Sequence, residues 1–322
     1  MPRTDSVLLG TKRGLWFGDL GSTWKPTRHV LKEHSITSIV TGSEGLIVGT
    51  THGVYVSETG EHWYRGVDGL DHLKVRSLAR HPREADLLLA GTEPAAIYAS
   101  RDGGHTWTKG NNVAAIRDRF GWFLPYSPEA GCVRGFAFQE NTIYAAAEEG
   151  GVLYSTSGGA DWDLVPGSSG IPDTSRVKAG QVHPDVHSVH VPPNDPQAVW
   201  ATTGGGLFFS NNRGDTWENR YPCYCRELWI DPVDPTHLMF GPAEGVDRNG
   251  RILGSTDGAM NWQEMPSDIL QPFPHTMIEL MVSHEELVLA VLSDGRLMRS
   301  ERQKNAWQVL QNVDDVQTAA FL

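Results

Sequence analysis

Cysteine is scarce in this chain: Cys132, Cys223 and Cys225 are the only three in 322 residues. An odd, sparse set excludes a disulfide framework, and a single C-x-C pair lacks the partners of a zinc site. Reduced thiols fit a cytoplasmic protein. Basic charge is also short. Against 39 Asp and Glu there are 27 Lys and Arg, a formal net charge of −12, which argues against nucleic acid or an anionic membrane as partner. No stretch approaches the ~18 apolar residues of a membrane-spanning helix. The N-terminal segment has no apolar core or small-residue cleavage site, so a secretory leader is not expected. Linkers, charge runs and low-complexity tracts are missing as well, so residues 1–322 read as one domain.

What the sequence does have is 35 Gly and 11 Trp. Seven of the Trp close one short phrase: GDLGSTW at Trp24, SETGEHW at Trp63, SRDGGHTW at Trp107, STSGGADW at Trp162, SNNRGDTW at Trp217, STDGAMNW at Trp262 and SERQKNAW at Trp307. A period near 45 residues signals a repeat architecture. Before each phrase, runs such as LIVGTTHGVYVS (46–57) and AVWATTGGGLFFS (198–210) put two β-rich segments around a small-residue turn, the pattern of a hairpin. In five phrases the third position is Thr59, Asp102, Ser157, Asn212 or Asp257, side chains that accept backbone N–H bonds in tight turns. A further strand opens each unit, for example KVRSLARHP, CVRGFAF and DVHSVHVPP. Four strands in seven units predict an all-β fold, a seven-bladed β-propeller of four-stranded antiparallel blades. The chain starts at a middle hairpin and ends on DVQTAAFL, an opening strand. The C-terminal strand is therefore expected to complete the N-terminal blade and remove an open edge.

The phrase S-x-D-x-G-x-T-W resembles the Asp-box, or BNR repeat, of sialidases, sortilin-type receptors and photosystem II assembly-factor-like propellers. The HPREADLL, PPNDPQAVW and DPVDPTHLMF segments resemble turns of uncharacterised glycosyl-hydrolase-like BNR proteins. The resemblance spans nearly the whole chain and implies the fold; it implies little about function, because the box is a structural turn in all these groups. Sialidases also share an arginine trio that holds a carboxylate, but they have six blades, and their F/Y-R-I-P segment has no counterpart here.

Aligned opening strands put Thr37, Arg76, Arg134, His187, Arg226, Glu279 and Gln317 at one position. Opening strands line a propeller's channel, so these residues are candidates for a shared site, and polar side chains facing channel water are the plain alternative. Arg76, Arg134 and Arg226 suit a carboxylate or phosphate. His187, fixed by Asp185, and Glu279 are the candidate proton-transfer groups. Tyr224 falls two residues before Arg226, on the same face. Glu148, Glu149 and Glu244 lie in middle-hairpin turns at the same end and add candidate carboxylates. Long insertions fall at 111–131 and 166–185, and the first carries Trp122, Phe123 and Tyr126, with Trp122 and Tyr126 expected to cover a ligand. His183, Asp185 and His187 form H-x-D-x-H, a divalent metal set in extended chain; otherwise no cofactor is expected. Two functions stand side by side: a small-anion site with hydrolase or lyase chemistry, and a non-catalytic module that binds a protein through the same face. Arginines engaged by internal carboxylates would favour the second.

Overall fold

The structure, a computed structural model, describes residues 5–302, 304 and 306–322; positions 303 and 305 of the last Trp phrase lie outside it, as do the first four residues. Seven four-stranded antiparallel sheets make the chain a seven-bladed β-propeller, as the repeat predicts. In chain order their opening strands are Val316–Phe321, Ile36–Gly42, Lys74–Arg80, Cys132–Gln139, Val186–His190, Tyr224–Ile230 and Ile278–His284. The first sheet takes its opening strand from the far end of the sequence: Val316–Phe321 pairs with Asp5–Thr11, with Val7 opposite Phe321 and Leu9 opposite Ala319. No helix among the described residues is long and apolar enough to cross a membrane.

The chain forms two compact units, one of Met1–Ser43 with Cys223–Leu322 and one of Glu44–Pro222. In each, the apolar core lies between successive sheets. In the second unit Leu89 and Ile97 of the third sheet pack with Ile143, Leu153 and Trp162 of the fourth. Tyr144 and Val152 on the other side of the fourth sheet pack with Val189, Val199 and Trp217 of the fifth. In the first unit Trp229 and Met239 meet Ile278, Met281 and Trp307, and Leu289 and Val291 meet Val7, Leu9 and Trp24. The second strands therefore lie between two apolar layers and are buried almost throughout, which explains why they read as nearly continuous apolar runs.

The phrase ending in Trp is a turn closed by its own side chains. In the third sheet, buried Ser100 Oγ accepts the N–H of Gly104 (3.0 Å) and donates to Asp102 (2.8 Å). Asp102 in turn accepts the N–H groups of His105 and Thr106 (3.1 and 2.9 Å). The Trp107 indole N–H reaches the carbonyls of Gly104 and Gly66, both at 3.2 Å, which ties this turn to the second sheet's last strand. The same serine-to-backbone bond recurs at Ser57, Ser155, Ser210 and Ser255. These bonds satisfy donors that a tight turn leaves exposed in a half-buried place. The third residue of the phrase shares the work of closing the turn with the buried serine two positions earlier.

Candidate functional site

The aligned opening-strand position has a structural cause that the sequence does not announce. Pairing slips there in six sheets: between Val75 and Ser77, Val133 and Gly135, Val186 and Ser188, Cys225 and Leu228, and Ile278 and Leu280, and between Thr318 and Val316. Arg76, Arg134, His187, Arg226, Glu279 and Gln317 are residues of these β-bulges. A bulged residue drops out of the ladder and its side chain is re-aimed. Polar side chains that an ideal strand would press into a packed layer are thereby freed to meet one another.

In the second unit the third, fourth and fifth sheets build one connected polar cluster. Glu93 and Glu148 close the second strands of the third and fourth sheets, each opposite a residue two before the bulge arginine (Lys74 and Cys132). Glu93, with no side-chain exposure, meets Lys74 Nζ at 2.5 Å and Arg76 Nη1 at 3.6 Å and accepts the Ser127 hydroxyl at 2.6 Å. Glu148 Oε2 accepts Arg134 Nη1 at 2.8 Å, the Tyr126 hydroxyl at 2.8 Å and the Cys132 thiol at 3.2 Å. Beside it, His187 Nε2 lies 3.1 Å from Asp185 Oδ1. Glu148, Asp185 and His187 each offer one ligand atom within 4.8 Å of the others.

The charges shift accordingly. Burial alone would raise Glu148, but the Arg134 guanidinium and its hydrogen bond hold the carboxyl at about 2. Asp185 is likewise lowered, the burial cost being outweighed by His187. Glu149, next in the chain, goes the other way, to about 7, through burial and the negative charge of Asp185 and Glu148. Burial pushes the Cys132 thiol to about 12, with Glu148 adding to it, so this thiol is no nucleophile.

Elsewhere the expected set is divided. In the first unit Glu279 takes Arg226 Nη1 with both oxygens, at 2.5 and 2.7 Å, while Arg226 Nε donates to the Tyr224 hydroxyl at 3.1 Å. Ala243 stands opposite Tyr224, where the other sheets have Glu93 and Glu148, so Arg226 takes its carboxylate from the seventh sheet's bulge. Gln317 accepts the Ser35 hydroxyl at 2.6 Å. Glu244 stays in its own exposed turn, accepting Asn249 Nδ2 at 2.8 Å, and is not joined to Glu279.

Two expectations about the insertions need correction. Trp122 does not cover a site: it is 3% exposed, packs in the core, and donates its indole N–H to Gly170 at 2.8 Å. Side chains at Gly131 and Gly150 would run into its ring, so these glycines make room for it. The 111–131 insertion also contains a helix, Val113–Phe120, ended by Gly121 at φ 66°, whose apolar Val113, Ile116 and Phe120 fall on one face. Trp122 thus pins one insertion to the other, and Phe123 and Tyr126 stay 52% and 57% exposed. The metal set is corrected too: His183 Nδ1 accepts the Asp185 N–H at 3.2 Å and its ring lies against Gly205, so Glu148 stands in its place beside Asp185 and His187. Glu93, Lys74 and Ser127 were not foreseen; the signal was a Glu at the end of the second strand in both the third and fourth sheets.

No protein-family model matches the chain, and no curated protein sequence matches it. Solved structures similar to it include the GH74 xyloglucanase of Xanthomonas campestris (16% identity, TM-score 0.63), where the match covers 86% of this chain and 45% of the enzyme. They include YCF48 bound to D1 peptide (16% identity, TM-score 0.62, 94% and 95% covered). Chaetomium thermophilum Sqt1 bound to the N-terminus of the ribosomal protein L10 also matches (12% identity, TM-score 0.57, 94% and 86% covered). This chain spans less than half of the xyloglucanase and nearly all of YCF48. At such low identity the likeness shows a shared fold alone.

Proposed function

We propose that this chain is a non-catalytic interaction scaffold that binds a protein or peptide partner on the side carrying the middle-hairpin turns and the 111–131 and 166–185 insertions. One observation carries the reading: Arg76, Arg134 and Arg226 each meet a carboxylate of the chain itself, Glu93, Glu148 and Glu279. An arginine already neutralised has little left to give a small anion, and breaking a buried pair to admit one is costly. Phe123 and Tyr126 offer exposed aromatic surface on the pinned insertion, the kind of side chain that anchors interfaces. The net charge of −12 favours a basic partner segment. Two of the similar propellers hold a peptide or a protein N-terminus, which supports the same use here.

The test is site-specific photo-crosslinking. Benzoylphenylalanine at position 123 should yield a discrete polypeptide adduct in cells that express the protein, and the same probe at Asp163 on an outer strand should not. The competing reading, an anion site with hydrolase chemistry, predicts thermal stabilisation by small carboxylates or phosphates that Arg134→Ala abolishes. Such a shift, together with no adduct at 123, would sink the scaffold.

A further inference from the structure

The geometry points to a divalent transition-metal site formed by Glu148, Asp185 and His187. The three donors come from separate places: the end of the fourth sheet's second strand, the approach to the fifth sheet, and that sheet's bulge residue. Their ligand atoms already lie within 4.8 Å of one another. Atoms bound about 2.1 Å from a shared ion stand about 3–4 Å apart, so small side-chain rotations complete the set. All three are withdrawn from water, with side-chain exposures of 6% for Glu148, 19% for Asp185 and 1% for His187.

Separate features prepare each carboxylate. Arg134, Tyr126 and Cys132 all bond to Glu148 Oε2 and hold in place a side chain more than nine-tenths buried. Asp185 lies against Gly204, where any β-carbon would collide with Oδ2; the glycine leaves space for that oxygen while Oδ1 faces His187. Charge completes the argument. Two carboxylates lie close together, with Arg134 paired to Glu148, and a cation offsets their mutual repulsion. One imidazole nitrogen with two carboxylate oxygens suits Zn²⁺ or Mn²⁺, whereas Ca²⁺ takes six or more oxygens. Water or a partner group would fill the remaining positions.

Zinc and manganese are titrated separately into chelator-treated protein, read by calorimetry, thermal unfolding and, for Mn²⁺, electron paramagnetic resonance. Wild type should bind one ion per chain and unfold at higher temperature, with Ca²⁺ giving no shift. Asp185→Asn and His187→Gln should each lose at least about tenfold in affinity. Equal binding by wild type and both variants would assign the ion to surface histidines and overturn the site. So would no binding to wild type at free metal up to about 1 mM, the weak end of cation affinities. If circular dichroism shows either variant unfolded, Glu148→Gln and the Mn²⁺ spectrum make the same decision.

Discussion

Removing the carboxylate that holds Arg134 tests the pairing on which the scaffold reading rests. Glu148→Ala strips one oxygen's worth of acceptor from three donors at once: the Arg134 guanidinium, the Tyr126 hydroxyl and the Cys132 thiol. Breaking a buried ion pair from one side costs about 3–5 kcal/mol. Arg134 keeps 20% side-chain exposure, and water reaching it trims the loss to about 3 kcal/mol. Arg134→Ala should cost about 2 kcal/mol, because Tyr126 still serves the remaining carboxylate. The double variant should lose less than the two singles combined, leaving a coupling energy of about 2 kcal/mol. Urea unfolding of the four proteins measures it, and raising the salt concentration should change it little, as the pair is shielded from solvent. A second readout is binding: Glu148→Ala should acquire acetate or formate affinity that wild type lacks. Additive losses within about 0.5 kcal/mol would mean that the two groups are not coupled, and the argument from self-paired arginines would fail.

Three further outcomes follow from the same structure. Gly66→Ala should destabilise by about 3 kcal/mol, because its methyl would collide with the Gly104 carbonyl oxygen between the second and third sheets; Gly103→Ala, with open space but φ +75°, should cost about 1 kcal/mol. Equal urea midpoints for the two would refute the collision. Asp102→Ala should cost about 1 kcal/mol by orphaning the His105 and Thr106 N–H groups; a wild-type midpoint would refute it. Burial lowers the His190 imidazole to about 4 while its Nε2 lies 2.7 Å from Ser188 Oγ. Below pH ~6.5 the unfolded chain takes up a proton that the folded chain refuses until about pH 4, so stability falls with acid across that window. The residue keeps some exposure, which limits the loss to about 1–2 kcal/mol; His190→Gln should flatten the unfolding temperature against pH there, and an unchanged slope would refute it.

The architecture was legible because it is written many times over. Seven Trp phrases, their hairpins and the unpaired closing strand each say the same thing, and a repeat tolerates a degraded copy. The alignment of Arg76, Arg134, His187, Arg226, Glu279 and Gln317 was legible as well, but not its cause: a bulge is one slipped pairing, with no composition of its own. Nor could sequence order show that Glu93 and Glu148 neutralise arginines from their own sheets while Arg226, facing Ala243, draws on Glu279, 53 residues away. Trp122 was misjudged for a similar reason. An aromatic residue in an insertion reads equally as cover or core, and the glycines that admit it, Gly131 and Gly150, and the Gly170 carbonyl that takes its N–H are spread along the chain. The helix Val113–Phe120 did carry a readable signal in the spacing of Val113, Ile116 and Phe120, hidden by the expectation of an all-β loop.

The pairing of Val316–Phe321 with Asp5–Thr11 bears on how the chain matures during synthesis. Asp5–Thr11 must wait for a strand made about 300 residues later, on the order of 15 to 60 seconds at ribosomal speed. Throughout that wait Val7, Leu8 and Leu9 belong to an unfinished sheet with a bare hydrogen-bonding rim, open to pairing with other nascent chains. Chaperone demand should therefore concentrate on the Asp5–Leu20 hairpin, and crowded polysomes should be where this protein goes astray.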